Sequence, residues 1–143
     1  MSVCDFTFSI HDANFGYTES RIGFIPAIVM TFLVKKIGEA NARTMLLSGN
    51  VIKATDAQKY GLVTTIFDSE EELQEEVLKL AEHLILHNSE TSMELTKKML
   101  AEIHGMPLNE ALTYAAKMNA VARNSDDCKK GIAAFLNKEN IRW

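Results

Sequence analysis

Cysteine, proline and positive charge are all scarce in this chain of 143 residues, and each scarcity excludes something. The two cysteines, Cys4 and Cys128, lie far apart and form no CxxC pair, so there is no disulfide framework to read, and reduced thiols in the cytoplasm are the expectation. Two prolines and seven glycines remove collagen-like and mucin-like readings. Fifteen Lys+Arg stand against 19 Asp+Glu, a net charge of −4, which argues against a basic surface that binds nucleic acid by neutralising phosphates. Long apolar runs are missing too. The greasiest stretch, Phe24 to Val34, is interrupted by Pro26 and Thr31 and stops at Lys35-Lys36, so no membrane partner is expected. Met1 to Ile10 lacks the basic start and apolar core of a leader, and Ser2 excludes myristoylation. No GxGxxG, GxxxxGK[ST] or GxSxG is present, which removes the usual dinucleotide, Walker and α/β-hydrolase readings.

What is present is the make-up of a globular chain, 47% apolar and 24% charged, long enough to bury a core. Cys4, Phe6, Phe8 and Ile10 alternate with Asp5, Thr7 and Ser9, which predicts a half-buried strand. His11-Asp12-Ala13-Asn14 supplies a turn, and Phe15-Gly16-Tyr17 a short extended piece before a loop with Glu19, Ser20, Arg21 and Gly23. Pro26 opens a helix over 27–37 that is apolar on nearly every face and is therefore expected to be buried, with Gly38 as its stop. A second helix follows to Ser48 and ends at Gly49. Thr55 to Gln58 reads as a capping box opening a short helix closed by Gly61, and Leu62 to Phe67 as the second strand.

From Asp68 onward the periodicity is helical. Ser69 with Glu72 forms a capping box, and Leu73, Val77, Leu80, Ala81 and Leu84 make an apolar stripe. Asn88-Ser89 breaks it; further helices run up to Gly105, restart at Pro107, and begin again behind Ser125 or Asp126 with Cys128, Ile132, Phe135 and Leu136 inward. Two strands with open edges rarely form a stable sheet. The expectation is that the chain is the C-terminal part of something longer or completes its sheet with another molecule.

Few residues suggest chemistry. His83 and His87 share a helix face at i and i+4, but no third ligand accompanies them, so no metal is expected. Glu19 sits on a glycine-bracketed loop just before an apolar helix, which makes it a candidate for proton transfer, while from the residues alone a solvated loop glutamate or a partner for Arg21 is the plainer reading.

At these residues the chain resembles the crotonase superfamily, the enoyl-CoA hydratases and isomerases. Phe15, Gly16, Glu19, Gly23 and Pro26 fit the pattern FG-x-x-E-x-x-x-G-x-x-P. Leu47-Ser48-Gly49, Ala54, Asp56-Ala57 and Gly61-Leu62-Val63 follow in family order. Ser125-Asp126-Asp127, Gly131 and Ala134-Phe135 with Lys138 resemble its C-terminal signature.

The resemblance implies an α/β fold, the C-terminal part of a ββα spiral with a few short strands (1–67) followed by a helical, oligomer-forming region (68–143). It implies addition of water to an α,β-unsaturated acyl-CoA thioester, with coenzyme A as part of the substrate and no separate cofactor. Glu19 matches the second catalytic glutamate, while the first one and the two oxyanion amides would lie upstream of Met1, so the chain alone is expected to be inactive. Gly23 and the Ala27 amide would position water or substrate. Phe135 and Lys138 would reach the coenzyme A of a neighbouring subunit in a trimer or hexamer, where a ring can stack and a cation can meet phosphate. Two alternatives stay open: an isomerase in which Glu19 shuttles a proton between carbons, and a non-catalytic oligomerisation module. The sequence departs from the family at Ala27-Ile28-Val29-Met30, which replaces a glycine-rich run and would narrow the acyl pocket, and at Lys130, which replaces an acid.

Overall fold

The strand predicted over 4–10 is shorter in the computed structural model, which describes residues 1–143: β1 spans Phe8–Ile10. It pairs in parallel with β4 (Thr65–Phe67), Phe8 opposite Thr65 and Ile10 opposite Phe67. Ahead of the ladder, Thr7 ends the alternation by tying the two segments together. Its hydroxyl donates to Leu62 O at 2.7 Å and its carbonyl accepts from the Thr64 amide at 2.7 Å. The second predicted strand contracts to its last three residues because the Leu62 and Val63 amides turn back onto Ala57 O, which sends both side chains into the core. β2 (Asn14–Phe15) pairs antiparallel with β3 (Ile52–Lys53), a two-residue strand too short to show a period.

The two helices expected around Gly38 are one element, α1 (Ala27–Ser48), broken at Gly38, whose φ of 75° and ψ of 161° are open to glycine and strained for any other residue. Both sides of the bend feed one core: Leu33 and Ile37 before it, Ala42, Met45 and Leu46 after it, closed by Ala57, Leu62 and Val63. The expectation that residues 27–37 are buried all round is corrected. Ile28, Met30, Phe32 and Val34 are exposed, because within this chain the stripe of Val29, Leu33 and Ile37 is the part of this segment that packs on the core.

α2 (Ala54–Lys59) starts one residue before the predicted box, with Lys53 at its N-cap and no side-chain cap, so Thr55 does not cap it. The Ser69 box does form: the Glu72 amide donates to Ser69 Oγ at 3.1 Å and Glu72 Oε2 accepts from the Asp68 amide at 3.0 Å, opening α3 (Glu70–His87). α4 (Glu90–Glu102) and α5 (Leu108–Asn124) follow, then α6 (Asp126–Asn137), capped by Ser125 Oγ on the Cys128 amide at 3.1 Å. The inward face predicted for α6 is also corrected: Ile132, Phe135 and Leu136 are exposed, and the helix buries Ala134. Gly131 instead faces the Trp143 ring, where an added Cβ would come within 3.3 Å.

The chain divides into two compact units, Met1–Leu78 and Lys79–Trp143. No helix is long and apolar enough to cross a membrane.

Candidate functional site

The loop between β2 and α1 is held by two close approaches that require glycine. At Gly16 a Cβ would meet Val51 Cγ2 at 3.1 Å and Asn50 O at 3.2 Å. At Gly49, left-handed with φ 60°, it would meet Ser20 Oγ at 2.9 Å and Arg21 Cγ at 3.2 Å. The loop thus lies directly on the turn that ends α1, and a side chain at either glycine would lift it. Within it, Glu19–Ile22 forms one 3-10 turn closed by Gly23, again left-handed, with the Phe24 amide donating to Glu19 O at 2.9 Å.

Two readings of Glu19 are open in the sequence, and the structure bears on one part of them, the pairing with Arg21. Arg21 does not serve as its counter-ion, since the guanidinium Nη2 donates to Asn50 Oδ1 at 2.9 Å. Glu19 Oε2 is buried and has no hydrogen-bond partner. A buried carboxylate oxygen without a donor is costly to keep and calls for an explanation. Asn50 is the residue that the sequence did not single out. Its only signal is its place directly after the helix-ending Gly49.

Gly23 and Ala27 share this segment with Glu19. The Ala27 amide, which the resemblance assigns to a water, donates here to Ile25 O at 2.9 Å, and α1 begins one residue later than a Pro26 start would give, with Pro26 as its N-cap. Phe135 and Lys138 belong to the second unit. Phe135 is exposed on α6, and Lys138 closes that helix with a left-handed φ of 56°. The His83 and His87 rings stack at 4.5 Å, with His87 Nδ1 at 3.1 Å from His83 O, and no group of three or more metal-ligating side chains forms.

Comparison with known proteins returns one family. The family model described as Enoyl-CoA hydratase/isomerase matches residues 1–143. A Thermus thermophilus protein that carries an enoyl-CoA hydratase name is 39% identical over 140 residues, 98% of this chain and 54% of its own length. The 2,3-dehydroadipyl-CoA hydratase of Escherichia coli is 31% identical over 137 residues, 95% of this chain and 53% of its own. Among solved structures, an enoyl-CoA hydratase/isomerase from Marinobacter aquaeolei superposes with a TM-score of 0.87 at 30% identity, over 97% of this chain and 52% of that one. This chain therefore spans about half the length of these relatives.

Proposed function

This chain belongs to the enoyl-CoA hydratase/isomerase family, and from that premise we propose that it supplies Glu19 as one proton-transferring carboxylate of an enzyme that hydrates α,β-unsaturated acyl-CoA thioesters. The observation that carries the proposal is the buried, partnerless Oε2 of Glu19, fixed on a loop that two glycines seat against the turn after α1. In such a reaction a carboxylate accepts a proton from water as its oxygen bonds to the β-carbon, and the α-carbon takes up a proton as the electron pair of the double bond moves onto it. The charge that develops on the thioester oxygen needs amide donors. By the family resemblance those donors and a second carboxylate belong to the part of the relatives that this chain does not span.

Coenzyme A enters this scheme as part of the substrate, and no separate cofactor is invoked. Phe135, exposed on α6, and Lys138 at its end are the proposed contacts to the coenzyme A of a neighbouring subunit in a homo-oligomer built by the helical region. A cytoplasmic location belongs to the same reading and rests on two cysteines that the fold leaves unpaired.

The test joins the unmatched part of the T. thermophilus relative ahead of Met1 and measures crotonyl-CoA hydration. The expected result is turnover by the joined protein, none by the chain alone, and a kcat lower by about 10²-fold or more in Glu19→Gln. Thermal stability should change little in that variant, because glutamine has nearly the same shape and the buried Oε2 position has no hydrogen-bond partner to lose. An unchanged kcat ends the assignment of Glu19.

A further inference from the structure

Lys130 stands where the family pattern has an acid, and the second unit shows what its ammonium is engaged in. Nζ donates to Arg142 O at 2.8 Å and lies 5.2 Å from the centroid of the Trp143 ring. The same ring rests on Gly131, the next residue of α6, where an added Cβ would come within 3.3 Å of Cη2. The Trp143 amide in turn donates to Leu86 O at 3.3 Å, near the end of α3. A glutamate at position 130 could make neither of the ammonium's contacts. Its carboxylate would meet a carbonyl that also only accepts, and it would face the negative side of the indole quadrupole.

Lys138 lies on the chain between the two sides of this contact. α6 ends there: the Lys138 amide donates to Phe135 O at 3.2 Å and the Glu139 amide to Ala134 O at 2.9 Å. Lys138 takes a φ of 56° and is the one non-glycine residue of the chain with positive φ. For a residue with a Cβ that conformation is costly and persists where its surroundings hold it. The chain reverses at Lys138, and the Lys130–Trp143 contact holds the returning segment, 139–143, against the helix it has just left.

We infer that Lys130 and Trp143 are positioning residues, a clasp that fixes the backbone at Lys138 and with it the direction in which Lys138 presents its ammonium to the phosphates of coenzyme A. The inference deepens the proposed role of Lys138 and rests on it. A lysine carries its charge on a flexible four-carbon stem, and ordering stem and backbone at the moment of binding subtracts from what the charge contributes. A turn fixed beforehand leaves only the stem to order. Phe135 needs no such help, since it lies within α6 itself. The effect of the clasp is therefore confined to the phosphate-bearing end of the substrate.

The joined protein used to test Glu19 also tests the clasp, with two substrates: crotonyl-CoA, and crotonyl-pantetheine, which has the same acyl group and no phosphate. Lys130→Met and Trp143→Ala should each raise KM for crotonyl-CoA by about 5-fold with kcat unchanged, the pattern of binding lost equally from ground and transition states. Both constants for crotonyl-pantetheine should stay within about 2-fold. The double variant should be no worse than the worse single one, because the two residues act as a unit. Lys130→Arg keeps a cation over the ring and should restore KM. Lys129→Ala removes a neighbouring charge outside the clasp, paired with Asp126 at 3.2 Å, and should change KM less than about 2-fold. The calorimetric Kd for coenzyme A, which requires no turnover, should rank the variants in the same order. In this chain by itself Trp143 is the single tryptophan, so its quenching by acrylamide should rise in Lys130→Met while circular dichroism is unchanged. Equal losses with both substrates, an unchanged KM and Kd in both clasp variants, or an equal rise in Lys129→Ala would each overturn the inference. Lys138→Ala keeps the two readings apart and should raise KM for crotonyl-CoA by about 10-fold. Without an effect there, the coenzyme A contact itself fails; an effect that Lys130→Met and Trp143→Ala do not share sinks the clasp and leaves the contact standing.

Discussion

The two units of the chain are built on different principles. In Met1–Leu78, Leu33, Met45, Leu62 and Val63 are almost completely buried, and the segments that bring them together lie far apart in sequence: β1 against β4, α1 bent back on itself at Gly38, α2 beneath. In Lys79–Trp143 only Ser89 and Ala134 are buried, and less completely, while α4 and α5 bury no residue at all. Polar ties stand where a core would be. Ser89 Oγ donates to Asp127 Oδ2 at 2.6 Å, the Thr91 amide reaches the same oxygen at 3.3 Å, and the Tyr114 hydroxyl donates to Glu102. Trp143 is clasped through its amide to Leu86 O and lies under the Lys130 ammonium at 5.2 Å. The first unit is therefore stabilised mainly by buried apolar area, the second by caps and hydrogen bonds joining half-exposed helices, and the two should respond differently to the same kind of damage.

The largest contrast is expected from one substitution made in each unit. Leu33→Ala removes a fully buried side chain and should cost about 2–5 kcal/mol in urea unfolding, whereas Leu112→Ala, on a residue 59% exposed, should stay within about 1 kcal/mol. Equal losses would mean that the second unit has a core of comparable weight around Leu112. Next in size is Gly38→Ala. Nothing lies within 4 Å of the added Cβ, so the cost is that of the backbone alone, and a φ of 75° with ψ of 161° puts it at about 1–3 kcal/mol. A neutral Gly38→Ala would show that the bend relaxes to a continuous helix, and with it that the hollow lined by Met30 and Leu47 is not fixed by the fold.

Much of this division is legible in the residues, and apart from the Thr55 box, which does not form, the larger failures concern which faces are covered. The Ser69 box, the Ser125 cap, the stop at Gly49 and the break at Gly38 are local events set by side chains within four positions, and each occurs where the sequence places it. Faces were read less well. An apolar helix from 27 to 37 and an apolar stripe at Ile132, Phe135 and Leu136 predict burial only if a partner surface exists, and the sequence cannot show that this chain lacks one. β3 escaped because two residues carry no period. At the site, Glu19 stood out through its glycine-bracketed loop and the family pattern. That Arg21 turns to Asn50, leaving Oε2 alone, depends on a contact across 29 positions, which no local pattern encodes.

The smallest effect expected is also the one most particular to the second unit. Asp127 ionises below the ordinary carboxylate range because Ser89, and after it Thr91, donate hydrogen bonds to its charged form; partial desolvation opposes this and the Lys130 charge adds to it. A carboxylate whose folded pKa is depressed contributes stability that is fully present above its unfolded value, about 3.9, and is lost as pH falls through the lower folded value. Asp127→Asn should therefore weaken the second unit at neutral pH and flatten its acid limb below about pH 4, so that the gap between variant and parent narrows as acid is added. Amide exchange at Ser92, whose N–H is held by Ser89 Oγ at 3.0 Å, gives a reading local to that unit. The amides of Leu62 and Val63 in the first unit, bonded to Ala57 O, should be indifferent to the substitution. Parallel acid limbs in variant and parent would show that the Ser89–Asp127 bond does not hold the helices together, and unit 2 would then need another source of cohesion among its apolar stripes.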